Sequence, residues 1–226
     1  MDLRQLNEEI VACTRCPRLV RFREEVARKK RRMYMDWNYW GRPVPGFGDA
    51  SARVLILGLA PAAHGANRTG RMFTGDRSAD WLLAAMYKYG FSNRPSSRSR
   101  EDGLALTDAY ITAVLRCAPP ANKPVAAELA NCRPYLLAEL DILRNVRVVL
   151  ALGKVAFDGF LAACGDWGHE VSSPRPKFGH CVIYPLPSGL TLVGSYHPSQ
   201  QNTQTGKLTR EMFDSVFERV RRLLET

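Results

Sequence analysis

The feature that most constrains the fold is an apolar run, Val54-Leu55-Ile56-Leu57, that leads directly into a glycine-rich loop and then a helix-forming stretch. A strand with one wet face would alternate apolar and polar residues, so an unbroken apolar run reads as a strand buried on both faces. The loop extends from Gly58 to Asp76, with Gly65, Gly70, Gly75 and Pro61 inside it. That composition lets backbone N–H groups come close to a ligand. The loop closes on one aromatic, Phe73, and one carboxylate, Asp76, a pairing suited to a flat, uncharged ring. Residues 78–89 then read as a helix. In an open α/β sheet, ligands bind outside the carboxyl ends of the strands, where such a loop sits.

The remaining chain repeats this alternation. Residues 2–12 read as a short helix with Leu3, Leu6 and Ile10 on one face, and residues 18–32 as a basic helix ending in Arg28-Lys29-Lys30-Arg31-Arg32. That basic run is either a phosphate-contacting patch or a solvated helix end. Residues 33–52 form an aromatic, Gly- and Pro-rich loop, suited either to stacking on bases or to packing over the core by its tryptophans. Strands are expected at 53–57, 109–115 and 147–152, and at 181–186 with 191–195 as a hairpin or as two sheet strands. Helices are expected at 125–143, 155–163 and 207–224, and residues 91–102 read as a surface loop. This alternation predicts one domain over 1–226: a three-layer α/β/α sandwich around a mostly parallel, four-stranded sheet.

The 226 residues carry a formal net charge of +10, which points to a polyanionic partner such as nucleic acid. No run of 18 apolar residues occurs, and the opening with Asp2 and Arg4 is unlike a signal peptide. The expectation is a soluble, cytoplasmic, nucleoid-associated monomer with no membrane contact. Six cysteines in an intracellular chain argue against structural disulfides. Cys13 and Cys16 form a Cys-x2-Cys pair, and Cys117 and Cys132 a Cys-x14-Cys pair. Four thiolates saturate a tetrahedral metal or a cubane cluster, and spacing alone does not separate zinc from iron–sulfur. Cys164 and Cys181 read as small buried residues.

The glycine loop lacks the Gly-Lys-Ser/Thr ending of a nucleotide phosphate cradle and the spacing of a dinucleotide fingerprint. Asp76 stands where a helix begins, so it is either an N-cap or a catalytic acid. Phe73 is either core or a stacking platform. His197 follows the last strand, where a neutral imidazole can donate to a developing oxyanion; the plainer alternative is a turn histidine. Ser195 with His197 allows a serine hydrolase, although no Gly-x-Ser-x-Gly elbow is present. Asn122, in Pro-Pro-Ala-Asn-Lys-Pro, offers a donor and an acceptor to a pyrimidine edge, or simply forms a turn.

Several long motifs, in order, carry a resemblance. Gly58-Leu59-Ala60-Pro61, Gly65-Ala66-Asn67-Arg68-Thr69-Gly70-Arg71, Phe73-Thr74-Gly75-Asp76 and His197-Pro198-Ser199 resemble the family-five (type B) uracil-DNA glycosylases. The cysteine pattern, Trp40 through Asp49, and Cys117 through Pro124 are similar to the same family. The resemblance spans residues 10–215. It implies a 4Fe–4S cluster on Cys13, Cys16, Cys117 and Cys132, and hydrolysis of the N-glycosidic bond of uracil, with other damaged bases such as hypoxanthine also accepted. A flipped base would stack on Phe73, with its edge read by the backbone near Ala60 and by Asn122. His197 would stabilise the uracil anion, and Asp76 would stabilise the oxocarbenium-like sugar or orient water. Arg68, Arg71, Gln201, Asn202 and Lys207 are the expected DNA contacts. Two departures stand out: Leu59 replaces the water-activating side chain of the wider superfamily, and Ala113 the uracil-reading Asn of family four. Both fit a broader substrate range. The alternative is a non-catalytic nucleic-acid-binding module with a metal or iron–sulfur clip.

Overall fold

The computed structural model describes residues 1–168, 170–171 and 173–225. In chain order its strands are β1 (Phe47–Gly48), β2 (Val54–Gly58), β3 (Ala109–Ala113), β4 (Val148–Leu152), β5 (Val182–Pro185) and β6 (Thr191–Ser195). Its helices are α1 (Leu3–Val11), α2 (Pro17–Lys29), α3 (Ala66–Thr69), α4 (Arg77–Lys88), α5 (Ala126–Ile142), α6 (Lys154–Asp166), α7 (Gln200–Gln204) and α8 (Arg210–Glu225).

The strands form one sheet in the order β1-β3-β2-β4-β6-β5. The four central strands are parallel, as their apolar sequences require, and every residue of β2, β3 and β4 is buried. The sheet has six strands, not the expected four. β1 and β5 add antiparallel edges, and β5 with β6 is a hairpin. β1 is only two residues long inside an irregular loop, so no periodicity marks it. β3 stops at Ala113, two residues short of its expected end, although Leu115 N still donates to Leu59 O at 3.0 Å. The last helix begins at Arg210, and α7 stands apart from it. Residues 91–102 are no simple surface loop, since Phe91 and Ser97 are buried.

Side chains alternate between two cores. Val54, Ile56, Ile111, Leu150 and Val193 pack under α4 and α8. Leu55, Leu57, Tyr110, Val149 and Leu192 pack under α5 and α6. A third, smaller core joins Leu6, Ile10 and Leu19 of the N-terminal helices to Leu115, Cys117, Cys132 and Tyr135.

One charged pair lies inside this framework. Arg116 Nη2 meets Glu139 Oε2 at 2.5 Å, with both side chains almost fully buried. Thr112 Oγ1 also donates to Glu139 Oε2 at 2.8 Å. Removing one partner strands the other charge, at a cost of about 3–5 kcal/mol. Glu139→Leu is therefore expected to lower the urea midpoint strongly. Adding Arg116→Met is expected to recover most of the loss.

Candidate active site

The glycine loop leaves β2 at Gly58 and is braced from behind by two arginines. Arg68 lies between the rings of Tyr34 and Trp37, 3.9 and 4.1 Å from their centroids. It donates to His64 O and Gly75 O, each at 2.8 Å. Arg71 donates to Ser97 Oγ at 2.6 Å and Ser99 O at 2.7 Å, and pairs with Asp102 at 2.6 Å. Burial works against the Asp102 charge, but hydrogen bonds from Arg71 and from the N–H groups of Arg98 and Leu104 hold its carboxyl well below the ordinary value. Both arginines are buried, so the expectation that they contact DNA is corrected: Arg68 donates to two carbonyls of the loop itself, and Arg71 to Ser97, Ser99 and Asp102 of the segment beyond α4.

In front of these braces lies a cavity of about 450 Å³, within the usual range for small-ligand sites. Leu59, Ala60, Phe73, Asp76, Asn122, His197 and Gln201 all line it, and Asp76 is the only acid there among the described residues. Five residues singled out for the base and its bond, namely Ala60, Phe73, Asp76, Asn122 and His197, thus meet in one place. Phe73 holds φ at +47°, a conformation uncommon for a bulky residue. A Cβ on Gly58 would come within 3.1 Å of its ring, so the glycine that ends β2 lets the ring lie over the strand end. Gly65 does the same for Asp76, since a Cβ there would stand 2.2 Å from Oδ2.

Asp76 is an N-cap that also lines the cavity. Oδ1 caps α4 by accepting from Ala79 N at 2.9 Å, while Oδ2 lies over Gly65. Burial raises its carboxyl above the ordinary value, against the lowering effect of the Ala79 and Ser78 N–H groups.

His197 arrives from the other side, two residues after β6. Its ring stacks near Phe73 at 5.9 Å between centroids and 29° between planes. Two contact layers of roughly 3.5 Å each would need a wider gap, so this ring pair leaves no room for a third ring between its members. Burial pushes the imidazole down to about 4, which leaves it neutral near pH 7. Ser195 is fully buried and its hydroxyl donates to Tyr196 O at 3.0 Å, which removes the serine-hydrolase reading.

The three remaining expected DNA contacts separate. Gln201 is exposed on α7 at the cavity. Lys207 is exposed, with Nζ 5.0 Å from the centre of the Tyr196 ring. Asn202 turns inward instead, donating Nδ2 to His197 O at 2.9 Å. That bond braces the His197 backbone, while the half-exposed amide keeps a second N–H and its oxygen.

The four cysteines converge. Cys13 follows α1, Cys16 caps α2, Cys117 follows β3 and Cys132 is on α5, and all four line one small cavity with Leu19, Leu115 and Tyr135. Among the described residues, no set of three or more His, Cys, Asp or Glu is arranged around a single metal ion. A four-iron cubane is wider than one ion and holds its thiolates farther apart. N–H groups point at three sulfurs: Arg23 Nη1 to Cys117 at 3.0 Å, Arg116 N to Cys132 at 3.2 Å and Asn131 Nδ2 to Cys16 at 3.6 Å. Burial pushes the Cys117 thiol up, and the Cys132 thiol up to about 12. Donors aimed at sulfur suit metal-bound thiolates.

Some residues of the site have no distinctive sequence signal. Arg23 looks like any arginine of a basic helix. Its guanidinium reaches Cys117, while its backbone carbonyl accepts from Asn67 Nδ2 of the glycine loop at 3.2 Å. Gly58 and Gly65 were visible as glycines, but not the side chains that need them.

A description of the uracil DNA glycosylase superfamily matches residues 45–221. A type-5 uracil-DNA glycosylase of Mycobacterium tuberculosis is 51% identical over 220 residues, covering 97% of this chain and 81% of the relative. One from Thermus thermophilus is 48% identical over 223 residues, 99% of each chain. A type-4 uracil-DNA glycosylase of Pyrobaculum aerophilum is 28% identical over 200 residues, 88% of this chain and 84% of the relative. With the superfamily matched over most of its length and type-5 relatives about half identical across nearly all of it, the chain belongs to the uracil-DNA glycosylase superfamily, in its type-5 family.

Proposed function

We propose that the protein is a monofunctional DNA glycosylase that hydrolyses the N-glycosidic bond of uracil and leaves an abasic site. The observation that carries this is the meeting of Asp76, Phe73 and a neutral His197 in one base-sized cavity. A base inside a duplex is out of reach, so the target nucleotide turns out of the stack to enter. Its ring rests against Phe73. Asn122, exposed at the cavity, presents its amide to the edge of the base.

As the C1′–N1 bond breaks, electrons move onto the base and the sugar becomes cationic. His197, neutral, donates a hydrogen bond to O2, where the negative charge gathers. Asp76 faces the sugar side as a carboxylate, stabilising the cation and orienting the water that completes hydrolysis. Leu59 contributes no polar group, so the chemistry rests on Asp76. An apolar first motif, and a pocket without an Asn at position 113, suit a range of deaminated bases that includes hypoxanthine.

The cysteine corner fits a 4Fe–4S cluster held by Cys13, Cys16, Cys117 and Cys132. When bound, the cluster supplies a cross-link between α1, α2, α5 and the end of β3. Purified protein is expected to be brown and to hold about four irons. Zinc in a colourless protein would overturn the cluster.

A uracil-containing oligonucleotide treated with the enzyme and then with alkali is expected to break at uracil. An unbroken but gel-shifted strand would support the binding module instead. His197→Ala is expected to slow single-turnover excision by roughly 10²–10³-fold, as for an oxyanion donor.

Asp76 gives a prediction of opposite sign for stability. Burial holds its folded-state pKa above the unfolded value, so the ionised group disfavours the fold increasingly as pH rises from the unfolded value through the folded one. Asp76→Asn, which retains a capping side chain, is expected to abolish most excision. It is also expected to raise the melting temperature at pH 7–8, with the gain vanishing near pH 3. A variant less stable than the parent at pH 8 would contradict this account of Asp76.

A further inference from the structure

The sheet has a second functional end. The register pairs Val54 with Ala109 on one side and with Val148 on the other. The residues just before them, Asp108, Arg53 and Arg147, therefore stand side by side at the amino ends of β3, β2 and β4. Arg221 of α8 flanks this row from one face of the sheet, and Arg144, in the turn after α5, from the other. Together with Asp49, Asn145 and Thr107 they line a cleft of about 820 Å³.

The two carboxylates in this cleft are already engaged. Asp108 pairs with Arg53 at 2.5 Å and faces Arg221 at 3.9 Å. Asp49 accepts from Ser51 Oγ at 2.6 Å and from Asp108 N at 2.8 Å. Arg221 is fixed by donating Nε to Tyr89 O at 2.6 Å and by lying 3.6 Å from the centre of the Phe91 ring. Arg144 and Arg147 are exposed and make no ion pair among the described residues. Four arginines thus face two aspartates, and two guanidinium forks have no carboxylate. Arginine's planar fork matches a phosphate's oxygens better than a lysine ammonium does.

The catalytic cavity opens at the carboxyl ends of the same strands. Five-residue strands place the two ends roughly 16 Å apart, with the packed core between them. The two sites therefore open at opposite ends of the sheet.

We propose that the cleft lined by Arg53, Arg144, Arg147 and Arg221 is a second DNA-binding site that grips the phosphate backbone of a separate duplex segment. The protein then holds two segments at once and passes between them without full release. The site is sequence-independent and salt-sensitive, because its contacts are to phosphate. The proposal rests on DNA being the substrate, which the excision arm of the test reads separately.

The test uses the full chain, an immobilised 20-base-pair duplex and a second, fluorescent 20-base-pair duplex in solution. At low salt the unaltered protein is expected to capture the second duplex on the first. Arg144→Glu with Arg147→Glu is expected to reduce capture at least 10-fold, while single-turnover excision from a short uracil oligonucleotide stays within 2-fold. Arg219→Glu with Arg222→Glu, the same charge change on the exposed side of α8, is expected to retain capture. Failure of the unaltered protein to capture while it excises uracil would overturn the second site. So would equal loss in both charge-reversed variants, which would mean that only net charge matters. Stabilisation by tripolyphosphate without duplex capture would assign the cleft to a small anion instead. Loss of excision in the unaltered protein would instead overturn the glycosylase reading.

Discussion

The structure depends on the parallel hydrogen-bonded ladder of β3, β2, β4 and β6. Parallel pairing points all four carboxyl ends the same way, so the glycine loop after β2 and the His197 segment after β6 emerge at one end of the sheet. Strands buried on both faces resist shear, since a one-residue slip would exchange every side chain between two filled cores. The base of the cavity is therefore rigid, and the variable parts are loops held on it.

The loops carry the strain that the strands do not. Phe73 sits at positive φ, and Gly58 and Gly65 leave only enough room for Phe73 and Asp76. Burial acts in opposite ways on the two central groups: it disfavours the charged form of each, raising the acid and lowering the imidazole. Arg68 and Asn202 fix the carbonyls of Gly75, next to Asp76, and of His197.

The cysteine corner and the catalytic loop are mechanically joined. Arg23 reaches the Cys117 sulfur with its side chain and Asn67 with its carbonyl. α2 also packs tightly on residue 41, where a Cβ on Gly41 would meet Ala27 at 2.9 Å. Order in the cysteine corner is thus passed to the back of the glycine loop through one helix.

Much of this was legible from residues alone. The unbroken apolar runs specify buried parallel strands whatever surrounds them, because a chain with no polar face has no stable exposed arrangement. Glycines, one carboxylate and one histidine at strand ends mark a site by the same local logic. Spacing and residue chemistry singled out the four cysteines, Phe73 and Asn122, and the family resemblance supplied their expected roles. Only the tertiary structure decided which charged groups face solvent. Arg68 and Arg71 were expected DNA contacts, but the fold buries both, Arg68 against carbonyls of its own loop and Arg71 against Ser97, Ser99 and Asp102. Asn202 reads as a surface residue until the turn after β6 brings the His197 carbonyl to it. β1 carries no periodic signal, since two residues gain their strand character from β3 alone. Burial of a polar group depends on partners distant in the chain, and neither spacing nor composition encodes them.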